Sequence, residues 1–197
     1  MSRWTKATAA ALLMLCVPSV APSAAEEGSM PAGVKGDMMT WFKDAENKLV
    51  QLAEATPEAK YSWRPSKDVR STSEVFLHVA GANYGIPAIW GVAPPAGFSI
   101  DTYEKSLTKK ADIVKALKDS FAHMEQGLSD ADLEKPAEVF GTKTTVQGGY
   151  FLLLTHAHEH LGQSIAYARM NAIVPPWTAR QQAAVKQMQE KAKPDAK

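Results

Sequence analysis

The chain of 197 residues has five histidines, and three of them fall within five residues. They are His156, His158 and His160, in "LLLTHAHEHLGQ", Leu152 to Gln163. Imidazole serves as metal ligand, general base or hydrogen-bond donor, so spacing decides which chemistry is open. On a helix turning about 100° per residue, His156 and His160 stack one turn apart on one face. His158 lies about 200° from His156 and points nearly the opposite way. It reads as exposed or as an outer residue. If the His156/His160 face is turned inward, two neutral imidazoles are buried together, and one metal ion provides a partner for both. His78, inside "VFLHVAG", is the candidate third ligand. Three histidines leave coordination positions free, the pattern of a reactive metal site rather than a structural one. The alternative is that His78 is an ordinary core residue of a plain structural domain. His123 reads as structural or surface.

Two other motifs compete for these residues. "HAHEH" is formally H-x-x-E-H, the inverted zinc-peptidase motif, in which Glu159 is the general base. That motif needs a further downstream ligand, and Glu190 in the polar tail is the single glutamate after His160. Glu159 is retained as a candidate catalytic base, with a solvated helix charge as its plainer reading. A di-iron bundle needs Glu-x-x-His on two helices, and no such pair occurs. There is no C-x-x-C-H for covalent haem and no Gly-rich phosphate loop.

The elements that must hold these residues are helical. Met38, Trp41, Phe42, Ala45, Leu49 and Leu52 recur at helical steps, predicting a helix from about Val34 to Ala55. "TPEAKYSWRPSKDVR" is a loop punctuated by Pro57 and Pro65. Ser71 followed by Glu74 is a capping box, so a helix starts at Thr72 and runs to about Tyr84. Gly85 and Pro87 bend or end it. "VAPPAGFSIDTYEKS" reads as a loop. A third helix spans about Lys109 to Leu128, with Ile113, Leu117, Phe121, Met124 and Leu128 as its apolar stripe. A connection with a short extended piece at "AEVFGTKTT" follows. The histidine helix runs from about Val146, capped by Thr144 or Thr145, to about Ala172. A short polar helix, about Ala179 to Lys191, closes the chain. Tyr84, Trp90 and Tyr167 are candidates for a pocket mouth, and Gln163 for orienting a ligand or bonding a neighbouring helix.

Composition is that of an ordinary globular chain, with 45% hydrophobic and 22% charged residues. Residues 1–25 read as a secretory signal. Arg3 and Lys6 precede the apolar "ATAAALLMLCV", and Ser23 and Ala25 occupy the small-residue positions of a cleavage site. An uncleaved anchor is the alternative. Cleavage after Ala25 leaves 20 basic and 21 acidic residues, a net charge of −1. Such a balance gives no electrostatic case for nucleic acid. The only cysteine, Cys16, leaves with the signal, so no disulfide or thiolate ligand remains. The expected location is periplasmic or secreted, with no stable membrane insertion after cleavage.

Two segments, "YSWRPSKDVRSTSEVFLHVAG" and "LLLTHAHEHLGQSIAYARMNAIVPPW", together resemble the DinB-like superfamily of metal-binding bundles. The matching residues are Trp63, Pro65, Ser71 and His78, then His156, His160, Gly162, Gln163, Arg169 and Pro175–Pro176. The resemblance covers about residues 32–177, leaving 178–197 as a polar tail helix. It implies an all-α, up-down four-helix bundle with a short C-terminal helix. It also implies that His78, His156 and His160 ligate a divalent metal, zinc first, with nickel or iron as alternatives. Homodimers are frequent in the family. Some relatives are thiol-dependent transferases or isomerases. The expected function is therefore an exported metal-binding protein, a hydrolase or transferase acting on a small-molecule substrate. The competing expectation is a non-catalytic metal- or ligand-binding protein of the cell envelope.

Overall fold

The computed structural model describes residues 33–192, so the signal reading of residues 1–25 lies outside the described residues. Six helices and one hairpin follow in order: α1 Val34–Ala55, α2 Thr72–Ala88, α3 Ile100–Tyr103, α4 Lys110–Asp130, β1 Pro136–Val139, β2 Thr142–Thr145, α5 Val146–Met170 and α6 Pro176–Lys191. No helix among the described residues is long and apolar enough to cross a membrane.

The four long helices enclose a core built on Phe42 and Leu49 from α1, Phe76 and Leu77 from α2, Phe121 and Leu117 from α4, and Tyr150 and Leu153 from α5. Each such side chain contributes about 1.5–3 kcal/mol on leaving water. α1 and α2 each pack against both α4 and α5. Two of the pairs that follow one another along the chain, α1/α2 and α4/α5, therefore sit diagonally across the bundle, while α2 and α4 are neighbours. This order makes α2 and α5 neighbours along their length.

Local signals explain the ends of α2 and α5. Ser71 and Glu74 form the full capping box: Ser71 Oγ accepts from the Glu74 N–H at 3.3 Å, and Glu74 Oε2 accepts from the Ser71 N–H at 2.7 Å. Thr145, rather than Thr144, caps α5 by accepting from the Gly148 N–H. The α1–α2 loop is strapped down by Tyr61, whose hydroxyl donates to the Ala53 carbonyl at 2.8 Å. Trp63 of the same loop packs edge-on against Tyr167 of α5, ring centroids 5.2 Å apart.

Four details depart from the sequence reading. Trp41 is 57% exposed, because it falls at the edge of the α1 stripe rather than within it. α2 passes through Gly85 and Pro87 and ends at Ala88. The segment read wholly as a loop contains the short helix α3. α6 begins at Pro176, whose fixed φ suits a first helical turn, and not near Ala179. The short extended piece is a two-stranded antiparallel hairpin, with Val139 paired to Thr142.

Candidate metal centre

α5 carries His156 and His160 one turn apart, and α2 lies beside them carrying His78. One ring nitrogen from each histidine lies within 4.8 Å of the other two. The ring centroids are 4.5–4.8 Å apart. The three residues named from the sequence are thus brought together. His160 is buried, while His78 and His156 are part-buried at the edge of the core.

Partners on the outer nitrogens fix two of the three rings. Glu104 Oε1 lies 2.5 Å from His78 Nδ1. Burial works against the Glu104 charge, but hydrogen bonds from Arg70 and His78 outweigh it and hold the carboxyl below the usual range. An ionised carboxylate only accepts, so His78 Nδ1 carries the proton and Nε2 presents its lone pair. Gln163 Oε1 lies 2.7 Å from His160 Nδ1, and an amide oxygen also only accepts. His160 Nε2 is therefore the free lone pair. Gln163 is itself held, because its amide NH₂ donates to the Tyr167 hydroxyl at 3.0 Å. That hydroxyl donates to the Arg70 carbonyl at 3.1 Å.

Arg70 joins the two relays. Its backbone carbonyl ends the Gln163–Tyr167 chain, and its guanidinium binds both Glu104 oxygens at 2.8 and 3.0 Å. Such a bidentate pair fixes direction as well as position. α3 delivers Glu104. Ile100 and Tyr103 of α3 lie where side chains on Gly81 and Gly85 would reach, at 3.3–3.4 Å from an added Cβ. α3 therefore packs on the Gly81 and Gly85 face of α2, with Glu104 at its C-terminal end over His78.

His156 has no such anchor. Its Nε2 lies 3.0 Å from His78 Nε2, and its buried Nδ1 has no hydrogen-bond partner. Burial, then the neighbouring His160 and His78, push its pKa down to about 3. Burial likewise lowers His78, against the pull of Glu104. These rings are held neutral, the state in which imidazole binds metal. The residues fit a divalent ion. The donor set is all nitrogen, and two nitrogens on one tetrahedral zinc would stand about 3.3 Å apart, close to the His78–His156 spacing.

Other candidates fall outside the cluster. Glu159 is exposed and makes no hydrogen bond or ion pair among the described residues. His158 Nδ1 bonds the Leu154 carbonyl of its own helix at 2.9 Å. His123 packs edge-on against Tyr84, and burial lowers its pKa. Tyr84 stacks with Phe98 and Tyr103, and Trp90 with Tyr150, so of the three aromatics Tyr167 alone reaches the centre. Glu104 and Arg70 were missed from the sequence. Glu104 sits in an aperiodic stretch, and the one available signal was its acidic side chain close in sequence to a buried histidine helix. A cavity of about 500 Å³ opens beside the cluster, with His78 and His156 in its wall.

Comparison with known proteins agrees with the fold. A family model described as the DinB superfamily matches residues 42–164. The fold is similar to the crystal structure of a DinB-like protein from Bacillus cereus ATCC 10987. That match has 16% identity and a TM-score of 0.63, over 73% of this chain and 95% of that chain. It is also similar to a DinB-like protein from Bacillus subtilis, at 21% identity and a TM-score of 0.54, over 70% and 93% of the two chains. At these identities the likeness is one of fold. No curated protein matches the chain. From the matched family model, the chain belongs to the DinB superfamily.

Proposed function

We propose that this is an exported metal-binding protein in which His78, His156 and His160 hold one divalent ion, zinc first, for a hydrolase or transferase reaction on a small-molecule substrate. One observation carries the reading: three ring nitrogens converge within 4.8 Å beside an open cavity. A bound divalent ion supplies Lewis acidity toward an oxygen- or sulfur-bearing substrate. The chain's own residues position the ligands. Glu104 holds the His78 proton on Nδ1, Gln163 does the same for His160, and Arg70 ties both partners to one point. Such outer partners typically change metal affinity by about 10–100-fold. The cavity wall keeps water from one side of the cluster and leaves room for a ligand.

As a general base, Glu159 would act from an exposed position next to His160 in sequence, without a hydrogen bond to the cluster. Export rests on the composition of residues 1–25, and a homodimer on the family resemblance. Nucleic acid has no part in the proposal.

Elemental analysis of untagged protein tests the centre. About one divalent metal per chain is expected in the wild type, with loss in His160→Ala. Protein that is metal-free, and that resists loading with zinc, nickel and iron, would overturn it. The mass of the protein recovered from the cell envelope tests the cleavage after Ala25.

A further inference from the structure

The cavity beside the histidines is apolar everywhere except at His78 and His156. Ile86 of α2, Ile89 just past its end, Ile100 of α3, Leu152 of α5 and Phe140 of the hairpin line it. Four of these five are exposed large hydrophobics: Ile89, Ile100 at 53%, Leu152, and Phe140 at 78%. They come from four separate elements and converge on one mouth. Scattered apolar surface residues need no explanation, but a contiguous set around a polar floor marks a binding site.

Phe140 adds an independent observation. The pairing of Val139 with Thr142 leaves Phe140 and Gly141 as a two-residue turn, with φ of +51° and +80°. Positive φ at both positions is the type I′ signature, which favours Asn or Asp followed by Gly. Glycine suits its position. An aromatic residue in the left-handed region does not. Strain of this kind persists where the surroundings hold it, and it clusters at ligand sites. The strained residue here holds a large apolar side chain at the cavity rim, exposed to solvent.

We propose that this cavity takes the apolar portion of a small ligand whose donor atom reaches the metal, and that Phe140 sets the length of apolar chain that is accepted. The inference rests on the metal-centre reading and adds the substrate class: an amphiphile with a metal-binding head and an aliphatic or small aromatic tail. The floor would hold the metal that the head binds, and the wall supplies only carbon for the tail. A hydrophilic ligand would leave four exposed apolar side chains in water and gain nothing from them.

The test uses straight-chain hydroxamic acids, from acetohydroxamic to octanohydroxamic acid, titrated calorimetrically into the zinc-loaded full chain. Affinity is expected to rise about fourfold per methylene while each one is buried. Phe140→Asn is the informative variant, because it replaces a strained turn residue with a preferred one and leaves folding intact. It should not lower Tm, should leave acetohydroxamate affinity unchanged, and should weaken octanohydroxamate by about tenfold or more. Affinity independent of chain length would overturn the proposal, as would octanohydroxamate binding that Phe140→Asn leaves unchanged. A dimer that Phe140→Asn converts to monomer, with the chain-length slope untouched, would also overturn it and make the patch a subunit interface. If the protein takes up no zinc, the metal reading fails, and the cavity is read separately with the uncharged dye N-phenyl-1-naphthylamine. Dye fluorescence enhanced by the wild type and lost in Phe140→Asn supports an apolar pocket. No enhancement overturns it.

Discussion

Two seams of the bundle bury polar side chains, and they solve the problem in opposite ways. Between α1 and α4, Lys43 reaches both Glu125 and Glu46 of the opposing and own helix. The cation there is part of the chain. Burial raises the Glu125 carboxyl, and the Lys43 hydrogen bond opposes that rise. Between α2 and α5, three imidazoles converge, burial holds His78 and His156 neutral, and the nearby cation Arg70 is bound to Glu104. The first seam is closed by its own charges. The second gathers lone pairs and leaves the positive charge to come from outside, which is the physical difference between a structural ion pair and a ligand set.

The comparison breaks most sharply at His156. His156→Ala should abolish stoichiometric zinc binding, a larger loss than any outer partner causes, as measured by competition with a chromophoric chelator. Zinc retained at full affinity would mean that the α2–α5 seam is polar packing like its counterpart. Glu104→Gln keeps the acceptor but removes the charge. It should weaken zinc by about 10–100-fold without loss of fold, as read in the same competition.

Acid should separate the seams next. In metal-free protein the unfolded His156 takes a proton below about pH 6.5, whereas the folded residue does so near 3. The unfolded state therefore binds more protons across that window, and stability falls as pH falls, by at most about 1.4 kcal/mol per pH unit for one group. Urea midpoints of metal-free protein should drop from pH 7 to pH 5, and His156→Ala should flatten that dependence. An equal slope in the variant would place its origin elsewhere. The smallest effect belongs to the closed seam. Lys43→Met leaves Glu46 and Glu125 facing each other and should cost about 1 kcal/mol, since Lys43 is partly in water. Adding Glu125→Met should recover most of that in the urea midpoint, and a strictly additive double variant would deny the coupling.

Much of this could be read along the chain. The Ser71/Glu74 box placed the start of α2, and the i, i+4 spacing put His156 and His160 on one face. Both are local patterns, set by hydrogen bonds and helical geometry within one turn. Glu104, Arg70 and Phe140 were not legible. Glu104 lies in a segment with no periodicity, and it matters only because α3 packs on α2 and brings it to His78. Phe140 looked like one more apolar residue, because its left-handed φ and its place at a cavity rim arise from hairpin register and helix placement. Trp41 shows the converse error: periodicity admitted it to the core stripe, and the arrangement of neighbouring helices left it in solvent.

Helical spacing was enough to pair His156 with His160, because period is a property of the chain in one dimension, while His78 was a candidate third ligand and the full set was what the family resemblance implied. Whether those rings meet was settled by the order in which the helices pack. α2 lies next to α5 because α1/α2 and α4/α5 form the diagonals of the bundle, and that order follows from burying several apolar faces at once. Tautomer, orientation and the apolar cavity beside the rings follow from the same packing, which joins residues dozens of positions apart through contacts that no local pattern encodes.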